Sequence, residues 1–330
     1  MKPTIKDIAR LAGVSPTTVS RVLNKRGYIS QKTIDKVNEA MKELNYYPNE
    51  LARSLYHQQT YFIGLIFPTT SNPFFGELMF HIENVCASLG YKVLLCNSLG
   101  YADKERSYLE MLQRNQVDGI IVGAHNSQIQ EYQKVNLPIV AVDRYLSDKI
   151  PVVASDNYTG GKTATKWLLD QGCKKIIFIT GSLKLEAPAN KRRDGYENVM
   201  KEAGKTPMIY ELCETLVSDS RMPMIQKKIQ EIFHEHPDVD GIFASDDLIA
   251  SIVFSEAKRI GKRLQKDLKV VGYDGSETVR ICSPYLTTIK QPIKEIAEKA
   301  VQILIRQING ETNDLEKEYL LPIELIEGIL

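Results

Sequence analysis

The sequence predicts a small all-α head followed by an α/β body built as two lobes with parallel sheets. Three observations predict it. Apolar residues recur at helical spacing through roughly the first sixty positions, short apolar runs alternate with amphipathic segments from Tyr61 onward, and that alternation comes as two series of four runs. At 330 residues the chain is too long for one small core.

The head reads as three helices. Ile5, Ile8, Ala9 and Ala12 form one apolar stripe that stops at Gly13. Thr17 to Asn24 carry Val19, Val22 and Leu23 inward, and Ile34, Val37, Met41 and Leu44 line a third helix that Pro48 stops. Asn49 is placed to cap one further short helical segment before a polar linker. Between the first two helices Gly13 permits a tight turn, Val14 plugs the core and Ser15 caps the next helix. This is a helix-turn-helix, with Thr17, Thr18 and Arg21 outward on one side of the second helix. Thr can meet several base edges, and Arg can read guanine through a bidentate pair in a major groove. Charge agrees: residues 1–60 hold ten Lys/Arg against five Asp/Glu, net +5, on a chain whose total is +1. A basic head on a slightly acidic body directs the head to a polyanion.

In the body, "YFIGLIFP", "KVLLCNS", "VDGIIVGA" and "PIVAVDR" are the first series of strands. "KKIIFITG", "IYELCET", "DGIFASDD" and "LKVVGYDG" are the second. Continuous apolar strands spaced by helical segments indicate βα units and parallel sheets. Many end in polar residues: Thr69-Thr70, Asp143-Arg144, Asp246-Asp247 and Asp274. Ligands of open parallel sheets bind beyond the carboxyl ends of the strands, so two facing lobes would enclose these residues in a cleft.

Composition, at 43% hydrophobic and 25% charged, argues against wholesale disorder. Five dispersed cysteines without a C-x-x-C pair fit reduced thiols in a cytoplasmic protein. The start, "MKPTIKDIAR", has no signal-peptide core, and no run reaches the ~18 apolar residues of a membrane span. "HEH" at 234–236 has metal-pair spacing but no third ligand arranged beside it, so it reads as a solvated helix end. There is no G-x-G-x-x-G after the first strand, no P-loop and no G-x-S-x-G. Neither metal nor cofactor is expected, and no catalytic constellation is found. A sugar-binding protein without DNA activity would share the two lobes but lack the head.

"TIKDIARLAGVSPTTVSRVLN" followed by "LNYYPNELARSL" resembles the DNA-binding head of the lactose/galactose repressor family. The likeness continues through "GLIFP", "NPFF", "VDGII", "SDN", "FASDD", "VVGYDG" and "LTTIKQP", and so covers nearly the whole chain. More narrowly, "DKERSYLEML", "NQVDGII" and "SPYLTTIKQPIKEIA" are similar to the sucrose-operon repressors of Gram-positive bacteria. The resemblance implies a helix-turn-helix domain at 1–48 and a hinge helix and linker at 49–60. A two-lobed, periplasmic-binding-protein-like effector domain at 61–330 follows, its lobes near 61–157 and 158–283 with crossover segments after 284. It implies a homodimer on a near-palindromic operator and control by a small sugar or sugar phosphate.

Residue by residue, the resemblance places Ser15, Thr17, Thr18, Arg21, Asn24 and Tyr46 at the DNA, the last two on phosphates. Without it Tyr46 reads as core. Ala52, Arg53 and Leu55 fall in the hinge helix, with Leu55 as the wedge that enters the minor groove and kinks the duplex. The plainer role for Leu55 is packing on Leu51. For the effector, Phe74 and Phe75 supply an apolar floor or stacking face, though one of the two is ordinary core. Arg192 is the forked donor, while Asp247 and Asp274 accept hydroxyl hydrogens. Asp246 stands where relatives vary, and Asp143 and Asp156 are candidates from the other lobe. Asp143 or Arg144 equally suits a local salt bridge. Sucrose, its 6-phosphate, fructose or a fructose phosphate all remain open as effector. The ending "LPIELIEGIL" lacks leucine heptads, which favours a dimer over a tetramer.

Overall fold

The computed structural model describes residues 3–24, 26–47, 59–123, 130–183, 186–212 and 221–329. It divides into two compact units, residues 1–60 and 61–330.

In the head, α1 (Ile5–Ala12), α2 (Pro16–Leu23) and α3 (Gln31–Glu43) enclose a core centred on Ile8, Val19 and Val37. Each start is fixed by its own cap. The Thr4 amide donates to Asp7 Oδ2 (2.9 Å), the Thr18 amide to Ser15 Oγ (3.1 Å) and the Thr33 amide to Ser30 Oγ (3.3 Å). Gly13 ends α1 at φ 65°, the left-handed region that costs a side chain strain, and this sharp stop sets α2 across α1. Residues 48–58, which include Asn49 and the expected hinge positions Leu51, Ala52, Arg53 and Leu55, lie outside the described residues.

The body holds two six-stranded sheets. Strands β1 (Phe62–Phe67), β2 (Lys92–Asn97), β3 (Gly119–Val122), β4 (Ile139–Val142) and β5 (Val152–Ser155) precede β6 (Ile176–Thr180), β7 (Met208–Glu211), β8 (Gly241–Ala244), β9 (Lys269–Asp274) and β10 (Thr287–Lys290). Two short strands, β11 (Glu318–Leu321) and β12 (Glu324–Ile326), close the series. The first sheet runs β11-β5-β4-β3-β1-β2 with every pair parallel. The second runs β12-β10-β9-β8-β6-β7 and is parallel except for the β10–β12 pair. Eight of these strands are the apolar runs read from the sequence; β5, β10, β11 and β12 are additional. With β10, the second lobe extends to Lys290 and not only to 283.

The helices that cover the sheets are α4 (Pro73–Ser88), α5 (Ala102–Arg114), α6 (Asn157–Asp170), α7 (Lys191–Glu202), α8 (Arg221–Glu235), α9 (Asp247–Arg259), α10 (Glu277–Cys282) and α11 (Ile293–Ile308). The chain passes between lobes three times: after β5, after β10, and between β11 and β12. Helix α11 returns to the first lobe, where Ile296, Val301 and Leu304 pack with Leu78 and Ile82 of α4 beside Val140 of β4. Late sequence therefore completes an early core.

Cys86, Cys96 and Cys173 are buried free thiols, each pushed up to about 11 by burial, whereas Cys282 is exposed. Cys213 lies outside the described residues. The "HEH" segment joins a ring contact rather than standing solvated at both histidines: Tyr210 Oη sits 2.6 Å from His236 Nε2. Among the described residues no helix is long and apolar enough to cross a membrane.

Candidate functional site

In the head, the outward side of α2 differs from residue to residue. Thr17 is exposed and makes no local side-chain bond among the described residues, while the Thr18 hydroxyl lies 2.9 Å from Ser15 Oγ. Ser15 thus serves the helix start, and Thr17 is the freer hydroxyl. Arg21 folds back: its Nε donates to the Arg26 carbonyl at 3.4 Å and its guanidinium rests over Gly27. Asn24 closes α2 by donating from Nδ2 to the Ser20 carbonyl (2.9 Å), and its Oδ1 is buried without a partner among the described residues. Tyr46 packs half-buried on the head core, as its chemistry alone suggests. Two aromatic residues that the sequence reading passed over, Tyr28 (94% exposed) and Tyr47 (81% exposed), stand out in solvent.

In the body, the strand ends converge on Arg192. Its Nε donates to Asn157 Oδ1 (2.7 Å), its Nη1 to the Ser245 carbonyl (2.6 Å), and its plane lies 3.6 Å from the centre of the Tyr273 ring. Asp143 Oδ2 stands 4.0 Å from Nη2, beyond hydrogen-bond reach, so the outer donors of the fork are not saturated. Burial works against the Arg192 charge, but Tyr273 and the carboxylates of Asp143, Asp274 and Asp246 hold it protonated. The chain of contacts continues from Ser155 Oγ to Gln291 Oε1 (2.8 Å) and from Gln291 Nε2 to Asp274 Oδ1 (2.8 Å). Asp143 and Ser155 belong to the first lobe, Arg192 and Asp274 to the second, and Asn157 and Gln291 to the crossings between them. The cluster therefore sits at the pivot of the two lobes.

Backbone geometry marks the same place. Asp143 (φ 52°) and Asp274 (φ 115°) lie in the left-handed half of conformational space, where a side chain is strained. Burial also raises the pKa of both carboxyls. Helix α7 can deliver Arg192 this close because glycines face each other. A Cβ at Gly195 would stand 2.4 Å from the Tyr158 carbonyl oxygen, and one at Gly161 would stand 2.2 Å from that of Arg192. Gly195→Ala is expected to push α7 off α6, destabilising the body by ~1–3 kcal/mol and displacing Arg192. A thermal melt together with sugar titration reads both effects.

Other expected contacts are placed differently. Asp247 is turned inward, with Oδ1 accepting from the Thr288 hydroxyl (2.6 Å) and Oδ2 from the Gly275 amide (2.8 Å) at 1% exposure. It anchors the sheet, and the neighbour with open space is Asp246, which also caps α9 through the Ile249 amide (2.7 Å). Phe74 (5% exposed) and Phe75 (8% exposed) both belong to the first-lobe core, so neither offers an open stacking face. Asp156 caps α6 through the Thr159 amide (2.9 Å) and faces a separate cavity. Arg144 makes no salt bridge with Asp143: it is buried and its guanidinium nitrogens have no hydrogen-bond partner among the described residues. Asn157, Ser155, Tyr273 and Gln291 were not singled out from the sequence. Asn157 and Gln291 fall within "SDN" and "TIKQP", whose amides carry no distinctive spacing of their own.

Burial pushes the Asp247 carboxyl up to about 7 from its ordinary 3.8. The folded chain thus holds this proton to higher pH than the unfolded chain does. The group's contribution to stability is complete below 3.8 and is lost as pH rises toward about 7. Melting temperature measured against Asp247→Asn across that window is expected to fall with pH in the parent more steeply than in the variant.

The head matches the model for bacterial regulatory proteins of the lacI family over residues 4–49. The body matches that for periplasmic binding proteins and the sugar binding domain of the LacI family over residues 60–327. The chain belongs to the LacI family. It shares with LacI-family regulators a DNA-binding head and a sugar-binding, periplasmic-binding-protein-like body. The sucrose operon repressor of Pediococcus pentosaceus is 47% identical over 328 residues, 99% of each chain. The ribose operon repressor of Halalkalibacterium halodurans is 42% identical over 324 residues, 98% of this chain and 95% of the relative. The lac repressor dimer bound to operator and the anti-inducer ONPF has a TM-score of 0.86 at 25% identity, covering 99% of this chain and 98% of that one. This LacI-family chain is accordingly a sugar-responsive DNA-binding repressor.

Proposed function

We propose that the protein represses genes for sucrose uptake and use, acting in the cytoplasm as a homodimer without catalysis. Support for sucrose comes from the relatives: sucrose operon repressors at 47% and 44% identity each match over 99% of both chains. Control of a ribose-type operon is the second reading, favoured by the 42% identical ribose operon repressor. In the proposed mechanism Thr17 and Arg21 meet base edges of a half-site, Thr18 and Ser15 hold that helix in place, and Leu55 wedges the minor groove. Two heads related by a dyad suit a near-palindromic operator.

A sugar or sugar phosphate in the cleft would be held by Arg192, Asp246, Asp274 and Asp143. The observation that carries this reading is that the Arg192 cluster joins residues of both lobes to the crossings between them, through Asn157 and Gln291. A ligand that spends the outer donors of Arg192 favours one lobe orientation over another. Differential affinity of ~1–3 kcal/mol is a typical coupling to DNA release. Fluorescence anisotropy with the upstream region of a sucrose operon tests it, titrating sucrose, sucrose 6-phosphate, fructose and fructose phosphates. Release by one of these is the expected result. Equal affinity for operator and scrambled duplex at moderate salt would overturn the repressor reading, and release by ribose alone would replace sucrose.

A further inference from the structure

We infer a second small-molecule site, distinct from the Arg192 cleft, in a cavity of about 290 Å³ where the edge of the first sheet meets the start of α7. Its walls come from both lobes. Tyr145 follows β4 and Leu320 lies on the edge strand β11, while Tyr158 on α6 and Pro188 ahead of α7 face them. Ser155 and Asn157 line it from the crossing that carries the Arg192 network, whereas Arg192, Asp143, Asp246 and Asp274 are not among its described lining residues. The two rings and Leu320 remain 37% (Tyr145), 39% (Tyr158) and 52% (Leu320) exposed, with the Lys162 amine 5.5 Å from the centre of the Tyr158 ring.

The polar lining selects the ligand class. Among the described residues, Asp156, Asp194 and Glu318 contribute carboxylates to the lining and Lys191 an amine. Each carboxylate already has a partner. Asp156 accepts from the Thr159 amide (2.9 Å), Asp194 pairs with Arg193 (2.9 Å) and Lys191 (3.4 Å), and Glu318 accepts from the Tyr145 hydroxyl (2.6 Å). Three acidic groups repel a phosphate or carboxylate ligand. Arg193 and Lys191 neutralise Asp194, while Asp156 and Glu318 keep their charge and offer spare lone pairs to donors. Lone pairs beside aromatic faces suit a neutral polyhydroxylated ring, with hydroxyls donating to the carboxylates and C–H faces lying on tyrosine. The volume sits at the lower end of small-molecule pockets, ~300–1,000 Å³, which is the scale of one sugar ring. An occupant touches Tyr145 and Leu320 of one lobe and Tyr158 and Pro188 of the other, so it braces the lobe pair from outside the cleft.

The test is calorimetric titration of the full chain without DNA, using D-glucose, D-fructose and sucrose singly, with fructose 6-phosphate and spermidine as charged probes. Because no operator is present, the result is independent of the repressor reading. Two sites per protomer are expected for at least one neutral sugar. Leu320→Trp fills the cavity from an exposed edge strand and is expected to weaken one of those sites by at least tenfold while leaving the other unchanged. Tyr158→Ala, at an exposed position of the first turn of α6, is the independent check and is expected to weaken the same site. Absence of any neutral-sugar site overturns the assignment, as does a single one that survives Leu320→Trp and Tyr158→Ala. So do two sites that both survive Leu320→Trp and Tyr158→Ala, or a second site that prefers fructose 6-phosphate or spermidine.

Discussion

Arg192→Lys is expected to leave operator binding intact and to move sugar-dependent release to at least ~10-fold higher concentration, about 1.4 kcal/mol of lost ligand affinity. The physical reason is the fork. Arg192 reaches Asn157, the Ser245 carbonyl and the edge of Asp143 from one planar group, and a lysine amine keeps the charge but not the geometry. The conservative variant is the informative one. Arg192→Ala would leave Asp143 and Asp274 without their buried counter-charge, a loss of ~3–5 kcal/mol that risks the fold itself. Anisotropy on operator DNA, with and without sugar, separates the outcomes. Parental release by Arg192→Lys would remove the fork from the effector site.

Arg21→Ala is expected to weaken operator binding ~10- to 100-fold, corresponding to ~1–3 kcal/mol for one bidentate base contact, while binding to random duplex falls much less. In the described pose Arg21 leans on the Gly27 turn through one long bond of 3.4 Å to the Arg26 carbonyl. That bond is weak enough to be exchanged for a guanine edge at little cost. Thr17→Ala is expected to act in the same direction but less strongly, and Thr18→Ala to act chiefly through helix stability, since its hydroxyl meets Ser15 at 2.9 Å. Competition between operator and scrambled duplex measures the ratio. A uniform loss on both sequences would make Arg21 a phosphate contact and not a base reader.

Local signals were the legible ones. Gly13 and Ser15 announce the break and cap between the first two helices because their effects act within four residues, and long apolar runs such as "YFIGLIF" show central strands whatever surrounds them. The strands that escaped notice are short and depend on distant partners. The β5 run follows a proline, β10 is half threonine, and β11 and β12 are edge strands whose pairing is with β5 and β10. In the site, Asp143 and Asp274 stand at strand ends, and Arg192 enters from the first turn of α7. Neighbouring acids were harder to separate. Asp246 and Asp247 are adjacent in sequence, and only the fold shows that one caps a helix at the open side while the other is bonded to Thr288 and Gly275. Asn157 and Gln291 gain meaning from where the chain crosses, which no local pattern encodes.

Helix α11 has a consequence for biosynthesis. The first lobe begins to emerge from the ribosome before the second, yet its apolar interior stays open until residues 293–308 arrive to cover Leu78, Ile82 and Val140. The second lobe, contiguous from β6 to β10, can consolidate while its predecessor still waits. Nascent chains halted ahead of Ile293 should therefore expose a sticky, half-built lobe and call on chaperones, whereas release of the whole 293–308 segment relieves that need.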